Sequence, residues 1–280
     1  MPKASDIQPD SYNQILMKGG PGFGKTLAAA TFALEGPVHI SYFDKKKPVE
    51  LITFFTKKRF GDRAERILNN IEYTVYGAYN AHEYLNRLIS MANTNSCRLF
   101  ADITDSTTSL TSAAVNWSLA FSDGHSKVIK DADEVIPGWD DYKVETSLIT
   151  QALDLYQNLP CHVIWIAHPL PSIKLEGSGK NMKVTKTNPI VTYGAKVAGI
   201  IPGRFTEVYH MFQESEWDAV KMVSNKRFKV SVDAVGDDFA KSSIFTGSDV
   251  KEFDITDRLF YEVWKEEIVK AFKKEEETTI

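Results

Sequence analysis

The sequence predicts an α/β fold built on a mostly parallel, doubly wound sheet, and three observations carry that expectation. Short apolar runs alternate with segments of helical periodicity along most of the chain. A glycine-rich stretch, residues 19–26, lies between the first apolar run and an alanine-rich helical segment. A later apolar run, Leu99-Phe100-Ala101, leads straight into the acidic residues Asp102 and Asp105.

Taken in order, Gln14 to Met17 reads as the first strand and Leu27 to Leu34 as the helix behind it. Val38 to Phe43 reads as a second strand, ending at Asp44 and the basic run Lys45-Lys46-Lys47. Ile71 to Tyr76 is the third strand. A helix over Ala81 to Met91 follows, with apolar residues at Tyr84, Leu85, Leu88 and Met91. The fourth strand is expected over Cys97 to Ile103, another helix over Thr146 to Leu155, and a buried strand over Cys161 to Ala167. Glu207 to Phe212, Ala219 to Ser224 and Phe228 to Val232 are the later strand candidates. Residues 1–248 are read as the core. Residues 249–280 are read as an amphipathic helix, with helical apolar spacing from Thr256, and a charged tail.

Composition narrows the function. The chain has 280 residues, 43% hydrophobic and 25% charged, with a formal net charge of −4, which is ordinary for a globular protein. There is no overall basic footprint, so contact with nucleic acid would need a local patch. No apolar stretch is long enough to cross a bilayer, and the N-terminus lacks a signal-peptide core. The two cysteines, Cys97 and Cys161, fall in apolar runs. That pattern argues against a disulfide framework and fits a reducing compartment. A soluble, cytoplasmic protein is expected.

The stretch Gly19-Gly20-Pro21-Gly22-Phe23-Gly24-Lys25-Thr26 satisfies G-x-x-x-x-G-K-[ST], the P-loop pattern. Glycines there let backbone N–H groups turn towards phosphate oxygens that side chains would keep away. Lys25 can reach the β- and γ-phosphates, and the Thr26 hydroxyl can ligate Mg²⁺. Gly19 through Thr26, together with Leu27 at the start of the helix, form the expected set of contacts to ATP. A P-loop ATPase also needs a carboxylate at the end of a neighbouring strand to hold the metal. Asp105 fits if Asp102 points sideways, since positions 99, 101 and 103 then share one apolar face. Asp102 remains the alternative, and the residue that does not hold the metal would serve as a helix cap or a solvated aspartate.

The order of these motifs, followed by Asp105-Ser106-Thr107-Thr108-Ser109-Leu110, then Leu159-Pro160-Cys161-His162-Val163-Ile164-Trp165-Ile166-Ala167-His168 and Gly194 to Val208, resembles the RecA-like ATPases. It is most similar to phage-encoded AAA-type NTP-binding proteins related to recombination and single-strand annealing ATPases. The resemblance spans about residues 12 to 235. It implies a base at Asp44 that orients the attacking water, shorter than the glutamate usual in that family. It also implies a polar γ-phosphate sensor at the tip of the 161–167 strand, where His168 stands.

The same resemblance implies that two loops line a channel for single-stranded DNA. The second, Pro169 to Lys196, carries Lys174, Lys180, Lys183, Lys186 and Lys196 against one acid, Glu176. The first, Ser122 to Trp139, is mixed in charge; Trp117, Phe121 and Trp139 could stack on bases or pack in the core. Lys226, Arg227 and Lys229, with Arg204 as a further candidate, match basic residues that reach a neighbouring subunit's γ-phosphate. The implied function is an ATP- and Mg²⁺-dependent ATPase, assembled as a ring or filament, acting on single-stranded DNA in phage-type recombination, annealing or replication. A nucleotide-kinase-like phosphotransferase and a nucleotide-gated scaffold with little hydrolysis are the alternatives.

Overall fold

One apolar strand, β1 (Gln14–Gly19), lies inside the main sheet, and the P-loop leaves from its end. The computed structural model describes residues 12–43, 48–94, 97–121, 127–129, 134–170, 172–176, 183–187, 189–218, 222–234 and 240–278. β1 pairs in parallel with β7 (His162–Ala167) on one side and β10 (Glu207–Asp218) on the other. Beyond β7 the order continues through β4 (Ala101–Asp105), β2 (Val38–Tyr42) and β3 (Ile71–Val75), all parallel. Beyond β10 the sheet turns antiparallel. β11 (Val223–Ser231) and then β13 (Glu252–Asp254) extend it, while β12 (Lys241–Ser242) also pairs with β10. Two small antiparallel ribbons stand apart: β5 (Lys127–Ile129) with β6 (Glu134–Ile136), and β8 (Ser172–Glu176) with β9 (Lys183–Thr187).

Helices cover both faces, and the strand residues alternate between them. Ile15, Met17, Ile103, Ile164 and Ile166 share one core with residues of α1 (Lys25–Ala30), α2 (Pro48–Phe60), α3 (Arg63–Asn69) and α8 (Phe260–Thr278). Leu16, Val163, Trp165 and Ala167 share the other with α4 (Ala81–Thr94), α5 (Thr107–Phe121), α6 (Trp139–Tyr156) and α7 (Ala195–Ile200). Strands buried on both sides explain why the sequence shows continuous apolar runs rather than alternation. After α1 the chain tightens into a 3-10 turn, Thr31–Leu34. There the Phe32 ring packs against Phe100, His162, Phe260, Tyr261 and Trp264. Phe32→Ala is expected to cost about 3–5 kcal/mol of stability.

Several element boundaries differ from the sequence expectation. The strand expected from Cys97 begins at Ala101. The helix expected from Thr146 begins at Trp139, because the Gly138 N–H donates to the Asp141 carboxylate at 2.6 Å and closes its first turn. Asp141 is itself fixed by the Ser118 hydroxyl at 2.7 Å. The strands expected over 219–224 and 228–232 are one strand, β11, running back along β10 from Val223; residues 219–221 lie outside the described residues. The second basic loop holds a ribbon, β8–β9, rather than irregular chain. The expected boundary at 248 separates elements that share a sheet and a core, since β13 pairs with β11 and α8 packs on Phe32. The C-terminal helix begins at Phe260 rather than Thr256.

Candidate nucleotide site

The P-loop connects the end of β1 to α1. Gly22 and Gly24 have φ of 79° and 81°, the left-handed region that side chains avoid. At Gly19 the reason for glycine is different: a Cβ would stand 2.3 Å from the Met211 carbonyl oxygen of β10. Lys25 opens α1, and its side chain turns back under the loop. Its ammonium donates to the Gly19 carbonyl at 2.6 Å and the Gly20 carbonyl at 2.8 Å. The His168 Nδ1, at the end of β7, lies 3.4 Å from the same nitrogen. Burial pulls Lys25 down to about 8, with the Asp105 charge opposing the shift.

Strand alternation separates the two candidate carboxylates. Asp105 closes β4 on the α1 side and accepts a hydrogen bond from the Thr26 hydroxyl at 2.6 Å. Asp102 points to the opposite face, is fully buried, and is held by α4 and α6. It accepts two bonds from Arg87 at 2.7 and 2.8 Å and one from the Tyr156 hydroxyl at 2.8 Å; the His39 Nδ1 lies 3.3 Å away. Burial alone would raise the Asp102 carboxyl. Arg87 and His39 overcome that and hold it below the usual range. The geometry therefore joins Thr26 to Asp105, and joins Asp102 to a buried cation.

The donor set suits a nucleoside triphosphate with Mg²⁺. A buried ammonium, a hydroxyl beside a carboxylate, and a glycine loop open to solvent at Pro21 and Gly22 meet at one strand end. One carboxylate plus substrate phosphates is a usual Mg²⁺ environment. Asp44 lies outside the described residues. Tyr42, which sequence reasoning passed over, ends β2 in register with Asp105. Its buried hydroxyl has no hydrogen-bond partner among the described residues, and burial together with Asp105 raises its pKa. The signal that could have found it is position, since it ends the strand next to the one that ends in Asp105.

A phosphate bound at this loop would favour the charged form of Lys25, which gives a pH dependence. Affinity for ATP is expected to be level below about pH 8, where Lys25 is already protonated in the free site. Above that it falls, as each bound nucleotide must recruit a proton. Titrating a fluorescent ATP analogue between pH 6.5 and 9.5 measures this, and Lys25→Arg should flatten the curve.

The remaining predicted residues lie elsewhere. Lys174, Lys183 and Lys186 fall on the β8–β9 ribbon, and Lys180 lies outside the described residues. The register sets Lys174 across from Thr185 and Lys183 across from Glu176, with Lys186 out of phase, across from Ile173. Where the chain returns from that ribbon, a cavity of about 880 Å³ opens between α6 and the start of α7. Trp139, Tyr142, Lys143, Tyr193 and Lys196 line it. Trp139 is 79% exposed, and the Tyr142 and Tyr193 rings lie 6.0 Å apart. Sequence reasoning named Trp139 and Lys196 but missed the tyrosines, which come together only when the two helix starts meet. Trp117 instead stacks on His82.

Lys226, Arg227 and Lys229 lie within β11 rather than at its start. Arg227 pairs with Glu216 at 2.8 Å, and Lys229 with Glu252 at 2.8 Å and Glu214 at 3.0 Å. Lys226 is exposed. Arg204 pairs with Asp154 at 3.1 Å.

Among the described residues, no helix is long and apolar enough to cross a membrane. No protein-family model matches the chain, and no curated protein matches its sequence. Among solved structures, the crystal structure of the RadB recombinase is similar over 88% of this chain and 89% of that one, with 11% sequence identity and a TM-score of 0.47.

Proposed function

We propose that the chain is a RecA-like ATPase that binds ATP and Mg²⁺ in the Gly19–Leu27 loop and acts on single-stranded DNA as a homo-oligomer. The observation that carries the reading is the 2.6 Å contact between Thr26 and Asp105, which joins the P-loop to the end of β4. Lys25 would exchange the Gly19 and Gly20 carbonyls for β- and γ-phosphate oxygens. Thr26 and Asp105 would hold the metal, which neutralises charge on the phosphoryl oxygens when bound. His168, already against Lys25, would sense the terminal phosphate, and Asp44 is the proposed base. A recombination, annealing or replication setting, in a phage, is part of the same proposal.

The test is ATP turnover in Mg²⁺, with and without single-stranded DNA, across a dilution series. Stimulation by DNA and a rise in specific activity with protein concentration are expected. A rate per subunit that stays flat, in a chain that sediments as a monomer with both ligands, would instead favour a self-contained phosphotransferase. The trans-acting role proposed for Lys226, Arg227 and Lys229 adds a mixing experiment. The ion pairs that Arg227 and Lys229 now make lie at the surface of the sheet, where such pairs are weak and exchangeable. Inactive Lys25→Ala and Lys229→Ala chains should therefore recover activity when combined.

The DNA path is proposed along the β8–β9 ribbon and the cavity beside it. Replacing Lys174, Lys180, Lys183 and Lys186 with alanine should reduce the salt dependence of DNA binding by roughly 0.7 log units per lost phosphate contact. Trp139→Ala or Tyr193→Ala should weaken binding about tenfold while leaving the slope intact, because stacking releases no counterions. Fluorescence anisotropy against salt concentration separates the two effects. An unchanged slope in the lysine variant would make the ribbon an ordinary solvated surface.

A further inference from the structure

The two cysteines of the chain are 64 positions apart in sequence and lie on neighbouring segments at the end of the sheet away from the P-loop. Cys161 precedes β7 and Cys97 lies just upstream of β4, the neighbouring strand; the His162 N–H donates to the Phe100 carbonyl at 3.0 Å and ties the two segments. Both side chains pack in the same apolar cluster, and each thiol shifts the ionisation of the other. Cys161 is 2% exposed, whereas Cys97 is partly open to solvent. Neither is used by the nucleotide site, and both are free thiols.

We propose that Cys97 and Cys161 form a thiol-modification site: Cys97 reacts with small disulfides such as oxidised glutathione, and Cys161 resolves the adduct into an internal disulfide. The environments of the two sulfurs support this division of labour. The neighbouring Cys161 and the Leu99 N–H favour a Cys97 thiolate and outweigh burial, bringing Cys97 down to about 7. The Cys161 thiol is pushed up, by the neighbouring Cys97 and by burial. A partly exposed thiol that ionises near neutral pH is the reactive kind, and a buried neighbour with a high pKa is not.

The chemistry balances without a further reactant. The Cys97 thiolate attacks one sulfur of the oxidant; the oxidant's S–S bond breaks, and its far half leaves as a thiolate that takes a proton from water. Cys161 then loses its proton to solvent and attacks the Cys97 sulfur, expelling the second half as another thiol. Two protein thiols lose two electrons and two protons, and one small disulfide becomes two thiols.

The experiment exposes the purified full chain to oxidised glutathione at pH 7.5 and follows intact mass, then peptide mapping without reductant. The native chain should pass through one glutathione adduct and end lighter by two hydrogens, with a linked peptide containing Cys97 and Cys161 that dithiothreitol reverses. Cys161→Ser should stop at the adduct on Cys97. Cys97→Ser should remain unmodified over the same period. Melting curves of the reduced variants check that each is folded, and the oxidised native chain should melt several degrees higher because the bridge closes a long loop. A stable adduct in the native chain, bridges only between molecules, or modification of folded Cys97→Ser at the native rate would each overturn the proposal.

Discussion

Lys25→Ala is expected to lower ATP turnover by about 10²–10³ or more, because in the proposed reaction it removes a preorganised charge from the point where negative charge would build up. Affinity for nucleotide should fall with it, since the same ammonium would meet the ground-state phosphates. The fold should not suffer. Burial lowers Lys25 to about 8 from 10.5, so the charged form is disfavoured by folding. The unfolded chain binds the extra proton between those values, and stability of the nucleotide-free protein rises with pH through that window. Lys25→Met, which keeps the bulk and drops the charge, should therefore melt at or above the native temperature at pH 7, with the difference shrinking by pH 9.5. Steady-state turnover with parallel melting curves tests both halves. Unaltered turnover in Lys25→Ala would remove the P-loop from the mechanism.

The two aspartates of β4 should give opposite phenotypes. Asp105→Asn keeps an acceptor for the Thr26 hydroxyl but loses the charge proposed to hold Mg²⁺. Its turnover should fall by about a hundredfold or more with little change in melting temperature. Asp102→Asn leaves Arg87 largely buried beside a neutral amide. Breaking a buried pair typically costs about 3–5 kcal/mol. Arg87 keeps 20% of its side chain exposed, which places the loss at the lower end. For a chain of this size that is a drop of about 10 °C in melting temperature. The nucleotide site of the folded fraction should still work. A thermally normal Asp102→Asn that lacks activity would return the metal role to Asp102.

What could be read from the sequence was local. The loop from Gly19 to Thr26 is legible because each position meets a backbone or phosphate demand within a few residues. The central strands are legible because burial on both faces leaves unbroken apolar runs such as Val163 to Ala167. The contrast between Asp102 and Asp105 was only half legible. The alternation was visible, but Arg87, the partner that claims Asp102, comes from a helix earlier in the chain. β13 was missed because it buries only Phe253 between exposed Glu252 and Asp254. The run Asn225 to Lys229 reads as a strand start because the apolar strand candidate begins at Phe228. In fact Arg227 and Lys229 lie on rungs against Glu214 and Phe212 of β10. The early start of α6 was available in principle: glycine is tolerated as an N-cap, and Asp140 and Asp141 put two acids in the first turn.

The packing of α8 against the P-loop helix also has a consequence for how the protein is made. The Tyr261 N–H donates to the Thr31 hydroxyl at 3.0 Å across 230 positions of sequence. Trp264, Tyr261 and Phe260 complete the pocket for Phe32. On the ribosome, β1 and α1 emerge first, yet the apolar surface behind them stays uncovered until these late residues have left the exit tunnel. Chains stalled or cleaved before Phe260 would carry the whole P-loop sequence on a nascent domain that cannot close. For such chains, sticking to one another or capture by a chaperone is the expected fate.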